Sequence, residues 1–258
     1  MTMMQNLFSL KGRVALVTGG SRGIGKMIAE GFLTYGARRV YVSARKAAAC
    51  DATAEELSAI GECVSLPADV STLEGINGLV ARIAEREDKL DILVNNAGAA
   101  WGAAFDEFPE SGWDKVVDLN MKTPFFLTQA LIGHLRAAGK DHVAKVINIA
   151  SIDGQSVTTD ETYPYGASKA GLLHMTKRMA LRLAADNIAV SCIAPGAFAS
   201  DMNKVARDHA DAVSKAIPAG RIGTTEDMAG AAIFLASRAG DYVTGSAVTV
   251  DGGVSFAR

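Results

Sequence analysis

The sequence predicts an α/β chain built on a doubly wound, parallel, seven-stranded sheet with helices on both faces. Three observations carry this. Short β-branched runs alternate about seven times with longer segments of helical apolar spacing. The runs are apolar throughout, as expected where helices cover both faces of a sheet. No linker, repeat or low-complexity stretch interrupts the alternation, so residues 1–258 read as a single domain.

The elements follow in order. "RVALVT" (13–18) reads as a buried strand, and "IGKMIAEGFLTYG" (24–36) as the first helix. Strand 39–44, helix 47–61, strand 63–69, helix 72–87 and strand 90–98 come next. A long helical region precedes strand 144–151, a helix from about 165 to 186 and strand 188–196. A mixed segment, with a substrate-covering stretch near 198–218, leads to the last strand in 246–253. In such sheets ligands bind at the carboxyl ends of the strands, and the motifs fall there or on the helix that follows.

Composition narrows the function. A net charge of −2 with scattered basic residues implies no general affinity for nucleic acid. Cys50, Cys63 and Cys192 are odd in number and far apart, which suits reduced thiols in a cytoplasmic protein. The N-terminus lacks signal-peptide regions, and no apolar run approaches the roughly 20 residues of a membrane span. The four histidines show no ligand spacing, so no catalytic metal is expected.

"TGGSRGIGKM" (18–27) admits two phosphate-binding readings. Gly20 to Lys26 fits a triphosphate loop, but that loop needs Ser or Thr after its Lys to hold Mg²⁺, and Met27 follows. The dinucleotide reading fits better: Gly19 permits the tight turn, Gly23 lets backbone approach a pyrophosphate, and Gly25 lets helix pack on strand. An NAD site commonly has an acid at the end of the second strand. Here stand Ser43, Ala44, Arg45 and Lys46. Arg45, with Arg22 in the loop, therefore points to a 2′-phosphate and to NADP(H); the alternative is that Arg45 is a solvated surface residue.

Tyr165 and Lys169 lie four residues apart and share a helical face. A lysine ammonium about 5 Å from a phenol favours phenolate by roughly 3 kcal/mol at an effective dielectric of 20, about two pKa units. That suits Tyr165 as acid or base with Lys169 as tuner. Tyr163 falls on another face and reads as structural or substrate-lining. Ser151 ends the fifth strand, where it could hydrogen-bond a carbonyl oxygen; no G-x-S-x-G surrounds it to mark a nucleophile.

Together "TGGSRGIG" (18–25), "ADV" (68–70), "NNAG" (95–98), "LN" (119–120), Ser151, "YGASK" (165–169), "APG" (194–196) and "DGG" (251–253) resemble the short-chain dehydrogenase/reductase family over nearly the whole chain. The resemblance implies the Rossmann arrangement and a set of roles. Asn120, Ser151, Tyr165 and Lys169 would be catalytic, with Asn120 holding a helix bend and a proton-relay water. Gly19, Ser21, Arg22, Gly23, Ile24, Gly25, Arg45, Asp69, Val70, Asn96, Gly98, Pro195, Gly196 and Phe198 would surround the cofactor, joined by Tyr165 and Lys169. Asn95 would brace the sheet. The family usually forms dimers or tetramers. Two departures stand out: "VSC" before "APG" where relatives often have "VN", and Ser200 where Thr is frequent.

Within the family the chain is most similar to 3-oxoacyl-thioester (β-ketoacyl) reductases, including the rhamnolipid-associated type, through "NNAGAAWGAAFDEFPESGWDKV", "APGAFASDM" and "IPAGRIG". That implies reduction of a 3-oxoacyl thioester or similar ketone, with Trp101, Phe198 and Met202 as an apolar substrate wall beside Ser151. "IPAGRIG"-like segments also occur in sugar and polyol dehydrogenases, which stay as an alternative. A non-catalytic NADP-binding scaffold or sensor is a third.

Overall fold

A computed structural model describes residues 3–256. Seven parallel strands form one sheet in the order β3-β2-β1-β4-β5-β6-β7. They are β1 (Val14–Thr18), β2 (Arg39–Ser43), β3 (Cys63–Ser65), β4 (Ile92–Asn95), β5 (Ala144–Ile149), β6 (Ile188–Pro195) and β7 (Ala247–Val250). Every residue of β1, β4, β5 and β6 is buried, as continuous apolar runs require of strands covered on both faces.

The helices are α1 (Gly23–Thr34), α2 (Ala47–Leu57), α3 (Leu73–Ala84), α4 (Glu110–Val117), α5 (Thr123–Ala130), α6 (Ile132–Gly139), α7 (Tyr163–Leu183), α8 (Lys204–Asp208), α9 (Ala210–Ser214) and α10 (Thr225–Ala236). The pleat divides the core. Ala15 and Val17 of β1 face a cluster with Ile28 and Phe32 of α1, Cys50 and Ala54 of α2, and Ala232 and Ile233 of α10. Val14 and Leu16 face the other side, against Leu79 and Ile83 of α3, Leu127 and Leu131 of the α5–α6 region, and Met179 of α7. The long helical region expected after the fourth strand is broken: α4 passes into α5 through a widened π-type turn, Asp118–Lys122. α7 begins at Tyr163, two residues before the expected start, with Pro164 in its first turn, where a missing N–H costs nothing. Residues 204–214 carry two short helices, so the mixed stretch after β6 is ordered by its own turns.

This topology positions the site. β1 lies between β2 and β4, so the chain winds outward from β1 in opposite directions. The crevice at the carboxyl ends of β1 and β4 is the switch point where an open α/β sheet takes a ligand. No helix among the described residues is long and apolar enough to cross a membrane. Cys50, Cys63 and Cys192 are buried, free thiols.

Candidate active site

The glycine turn sits at that switch point. Gly19 (φ 64°) and Gly23 (φ 52°) take left-handed backbone that a side chain would strain. Arg22 is extended at the N-cap of α1 and caps nothing with its side chain, so the first N–H groups of the helix are left for an anion. A methyl on Gly25 would overlap the Gly19 carbonyl oxygen. Asn96 braces the turn: its Nδ2 donates to the carbonyls of Thr18 (2.9 Å) and Gly19 (3.1 Å). Thr18 Oγ1 returns the tie, accepting from the N–H groups of Asn96 and Ala97 at 3.1 Å each. Asn96, expected beside the adenosine ribose, thus spends its amide on the phosphate loop. Asn95 donates to Asn148 Oδ1 at 2.9 Å, within the sheet.

At the end of β2, Ser43 is buried and Arg45 is exposed, without an ion pair among the described residues. Arg22 is exposed too, and its Nη1 pairs with Asp201 Oδ2 at 2.8 Å. The Ser21 carbonyl accepts from Thr53 Oγ1 at 2.7 Å, and Ile24 is partly exposed on the first turn of α1. Asp69 is exposed and accepts from Ser71 Oγ at 2.6 Å, while the Val70 side chain is in the core. No carboxylate stands where a ribose 2′-OH would need one at the end of β2.

Ser151, Tyr165, Lys169 and Asn120 converge beyond the ends of β4 and β5. The structure corrects the expected electrostatics. Burial first, and then the negative charge of Asp153, push the Tyr165 phenol up to about 12, against hydrogen bonding from Ser151 that pulls it down. Lys169 Nζ lies 5.6 Å from the Tyr165 ring centroid and donates to the Ile149 carbonyl at 2.8 Å. Burial drops the Lys169 ammonium to about 8, opposed by Cys192 and Asp153. Desolvation therefore sets the direction of the Tyr165 shift in the protein by itself, over the opposing hydrogen bond from Ser151. Asn120 lies in the π-type turn, where its Oδ1 accepts from Ala99 N–H (2.8 Å) and its Nδ2 donates to Ala99 C=O (2.9 Å) and Ser168 Oγ (3.1 Å). The amide fixes the loop after β4. A methyl on Gly98 would meet Asn120 Oδ1 at 3.2 Å, so Gly98 lets that loop approach the asparagine closely.

Trp101, Phe198 and Met202, expected as an apolar substrate wall, have three different surroundings. Phe198 is buried, and its ring lies against Gly223, so its backbone is what it leaves toward a ligand. Pro195 closes β6 in the interior, and Gly196 packs closely on Asp251. The Trp101 ring lies on Gly112 of α4 with Lys115 Nζ 4.9 Å from its centroid. Met202 is half exposed. An apolar cavity of about 450 Å³ opens elsewhere, lined by Phe105, Phe108, Pro109, Glu110, Trp113 and Tyr163. Tyr163 meets Phe105 and Phe108 edge-on at 5.6 and 5.8 Å, which gives it the packing role allowed for it.

A family model described as enoyl-(acyl carrier protein) reductase matches residues 19–255. The chain belongs to the short-chain dehydrogenase/reductase family of oxidoreductases. It is similar to the rhamnolipids biosynthesis 3-oxoacyl-(acyl-carrier-protein) reductase of Pseudomonas aeruginosa, 48% identical over 97% of this chain and 99% of the relative. A solved Pseudomonas aeruginosa RhlG/NADP active-site complex superposes with a TM-score of 0.93 at 46% identity, covering 97% of this chain and 99% of that one. The 5-keto-D-gluconate 5-reductase of Escherichia coli is 37% identical over 98% of this chain and 100% of its own.

Among these short-chain dehydrogenase/reductase residues, sequence reasoning missed Asp153. It sits in the turn Ile152–Gly154, and its N–H donates to Ser151 Oγ at 3.1 Å. Burial and then the charge of Asp160 raise its own carboxyl, while Lys169 lowers it. Its place two residues after Ser151 was the available signal. The aromatic set from Phe105 to Trp113 had no such signal, because its partner Tyr163 comes from a distant helix.

Proposed function

We propose that the chain is an NADP(H)-dependent carbonyl reductase that converts a 3-oxoacyl thioester or similar ketone to the 3-hydroxy compound. One observation carries the reading: the Tyr165 phenol lies with Ser151 and Lys169 at the strand ends that also carry the glycine turn. The residues fit NADP(H). The α1 N-terminus offers N–H groups to a pyrophosphate, and Arg22 and Arg45 offer cations, with no acid at the end of β2, to a ribose 2′-phosphate. Asp69, Val70 and Gly98 border the adenosine side, Ser21 and Ile24 belong to the glycine turn that meets the pyrophosphate, and Pro195, Gly196 and the Phe198 backbone border the nicotinamide side. When bound, the cofactor supplies hydride to the carbonyl carbon.

The side chains handle the proton. Ser151 orients the carbonyl by donating its hydroxyl to the oxygen. Tyr165, neutral at physiological pH, gives that oxygen its proton as negative charge develops there. Lys169 holds positive charge beside the phenolate left behind, and its anchor on Ile149 keeps the ammonium in place. Asn120 positions the loop that carries Gly98.

The similarity to an acyl-thioester reductase, 48% identical over 97% of the chain, supports an acyl substrate over a sugar acid. An NADPH-oxidation screen across acetoacetyl thioesters, diketones, quinones and keto-sugars tests this. Thioester turnover with comparable use of NADH would remove the cofactor assignment; turnover confined to keto-sugars would replace the substrate class. The glycine turn after β1 and Tyr165 on α7 lie beyond the strand ends of one sheet, which supports a single catalytic unit. Exposed Phe125 and Leu181 on α5 and α7, with Tyr242, support a homo-oligomer, a tetramer or a dimer.

A further inference from the structure

The stretch after β6 meets the first turn of α1 at two points. A methyl on Gly23 would lie 3.1 Å from Ser200 Cβ. Asp201 Oδ2 takes Arg22 Nη1 at 2.8 Å. The stretch is a small unit in itself. Arg207 donates from Nη1 to Asp201 Oδ1 at 2.7 Å and from Nε to Asp208 Oδ1 at 2.7 Å. Asn203 donates its N–H to Ser200 Oγ at 3.0 Å and caps α8 by accepting from Ala206 N–H at 3.0 Å. Residues 200–208 are thus tied through Asp201 to the cation that borders the phosphate loop.

We propose that Asp201 is a specificity-determining residue that competes with the ribose 2′-phosphate of NADP(H) for Arg22, so that the bound phosphate costs the tether between residues 200–208 and the α1 turn. This rests on the reading of Arg22 as a contact of that phosphate. A doubly charged phosphate draws a guanidinium more strongly than an exposed carboxylate does, so the exchange favours the phosphate while Asp201 reduces its net gain. The coupling is reciprocal: what the carboxylate takes from phosphate affinity returns as loosening of the tethered stretch. A cofactor without the 2′-phosphate leaves the tether in place. Arg45, outside the pair, adds attraction for the phosphate that Asp201 does not oppose.

Two probes separate the phosphate from the rest of the cofactor: adenosine 2′,5′-bisphosphate and adenosine 5′-monophosphate. Each is titrated against the full-length wild type, Asp201→Asn, Arg22→Ala and the double variant. Asp201→Asn is expected to tighten the bisphosphate about two- to fivefold, the range of an exposed ion pair, and to leave the monophosphate unchanged. The gain is expected to vanish in the Arg22→Ala background. In hydrogen exchange on the wild type, the bisphosphate should speed residues 200–208 relative to the monophosphate; in Asp201→Asn both probes should give the same fast rate. An unchanged or weaker bisphosphate affinity in Asp201→Asn overturns the proposal, as does a gain that persists without Arg22. If Arg22→Ala fails to weaken the bisphosphate, the reading of Arg22 as phosphate contact falls and the proposal with it. If Arg22→Ala weakens it while Asp201→Asn changes nothing, the competition alone is lost.

Discussion

Asn120 holds both backbone groups of Ala99, accepting from its N–H at 2.8 Å and donating to its C=O at 2.9 Å. One amide thereby replaces a sheet partner for a loop that leaves β4 beside Lys169. Asn120 is 1% exposed, so its removal leaves polar backbone groups without that partner. Asn120→Ala is expected to cost about 1–3 kcal/mol of stability and to lower kcat more than it raises KM. Thermal unfolding and steady-state kinetics check this. A variant with unchanged melting and unchanged kcat would refute the clamp.

Gly25 has no room for a side chain, because a methyl there would overlap the Gly19 carbonyl oxygen and lie 2.5 Å from Asn96 Nδ2. Gly25→Ala is expected to destabilise the fold by about 1–3 kcal/mol, the usual cost of overpacking, and to weaken NADPH binding. Fluorescence titration and thermal melting are the measurements. Wild-type cofactor affinity in a well-folded Gly25→Ala would show that α1 can shift without cost.

Tyr165→Phe removes the proton donor while keeping the ring beside Lys169. Turnover should fall about 10²- to 10⁴-fold, the contribution of general acid catalysis, with NADPH still bound. Normal turnover in this variant would take the donor role away from Tyr165.

The pH dependence follows from two shifts. The phenol, up at about 12, keeps its proton throughout the neutral range. The Lys169 ammonium, down at about 8 from its ordinary 10.5, discharges as pH rises. Reductive kcat/KM is expected to be level between about pH 6 and 7 and to decline as pH rises through about 8. A profile level to pH 10 would contradict this. Stability shifts in the opposite sense. The folded state releases the lysine proton first, so the penalty of burying the ammonium is full below about pH 8 and fades as pH approaches 10.5. The melting advantage of Lys169→Met over wild type should therefore shrink across that interval.

Much of this was legible in the chain. Continuous apolar runs marked the buried strands, because a strand covered on both faces has no polar side to show. The glycine spacing marked the turn after β1, because left-handed backbone and close approach leave little other choice. The spacing of Tyr165 and Lys169 placed both on one helical face, a consequence of helix geometry alone. Each of these depends on covalent geometry over a few residues, which sequence order sets directly.

The tertiary structure decided what depends on distance across the fold. It placed Asn120 against Ala99, turned Asn96 onto the phosphate loop, and brought Tyr163 to the aromatic set that lines the apolar cavity. It also paired Arg22 with Asp201, residues 179 positions apart by their numbers (201 − 22), across the mouth of the cofactor turn. And it reversed the expected shift of Tyr165, because the sign of a pKa shift is set by how much water burial removes from the phenol and from the lysine together. Spacing along a helix fixes which groups are neighbours; the packing around them fixes which charge state that neighbourhood holds.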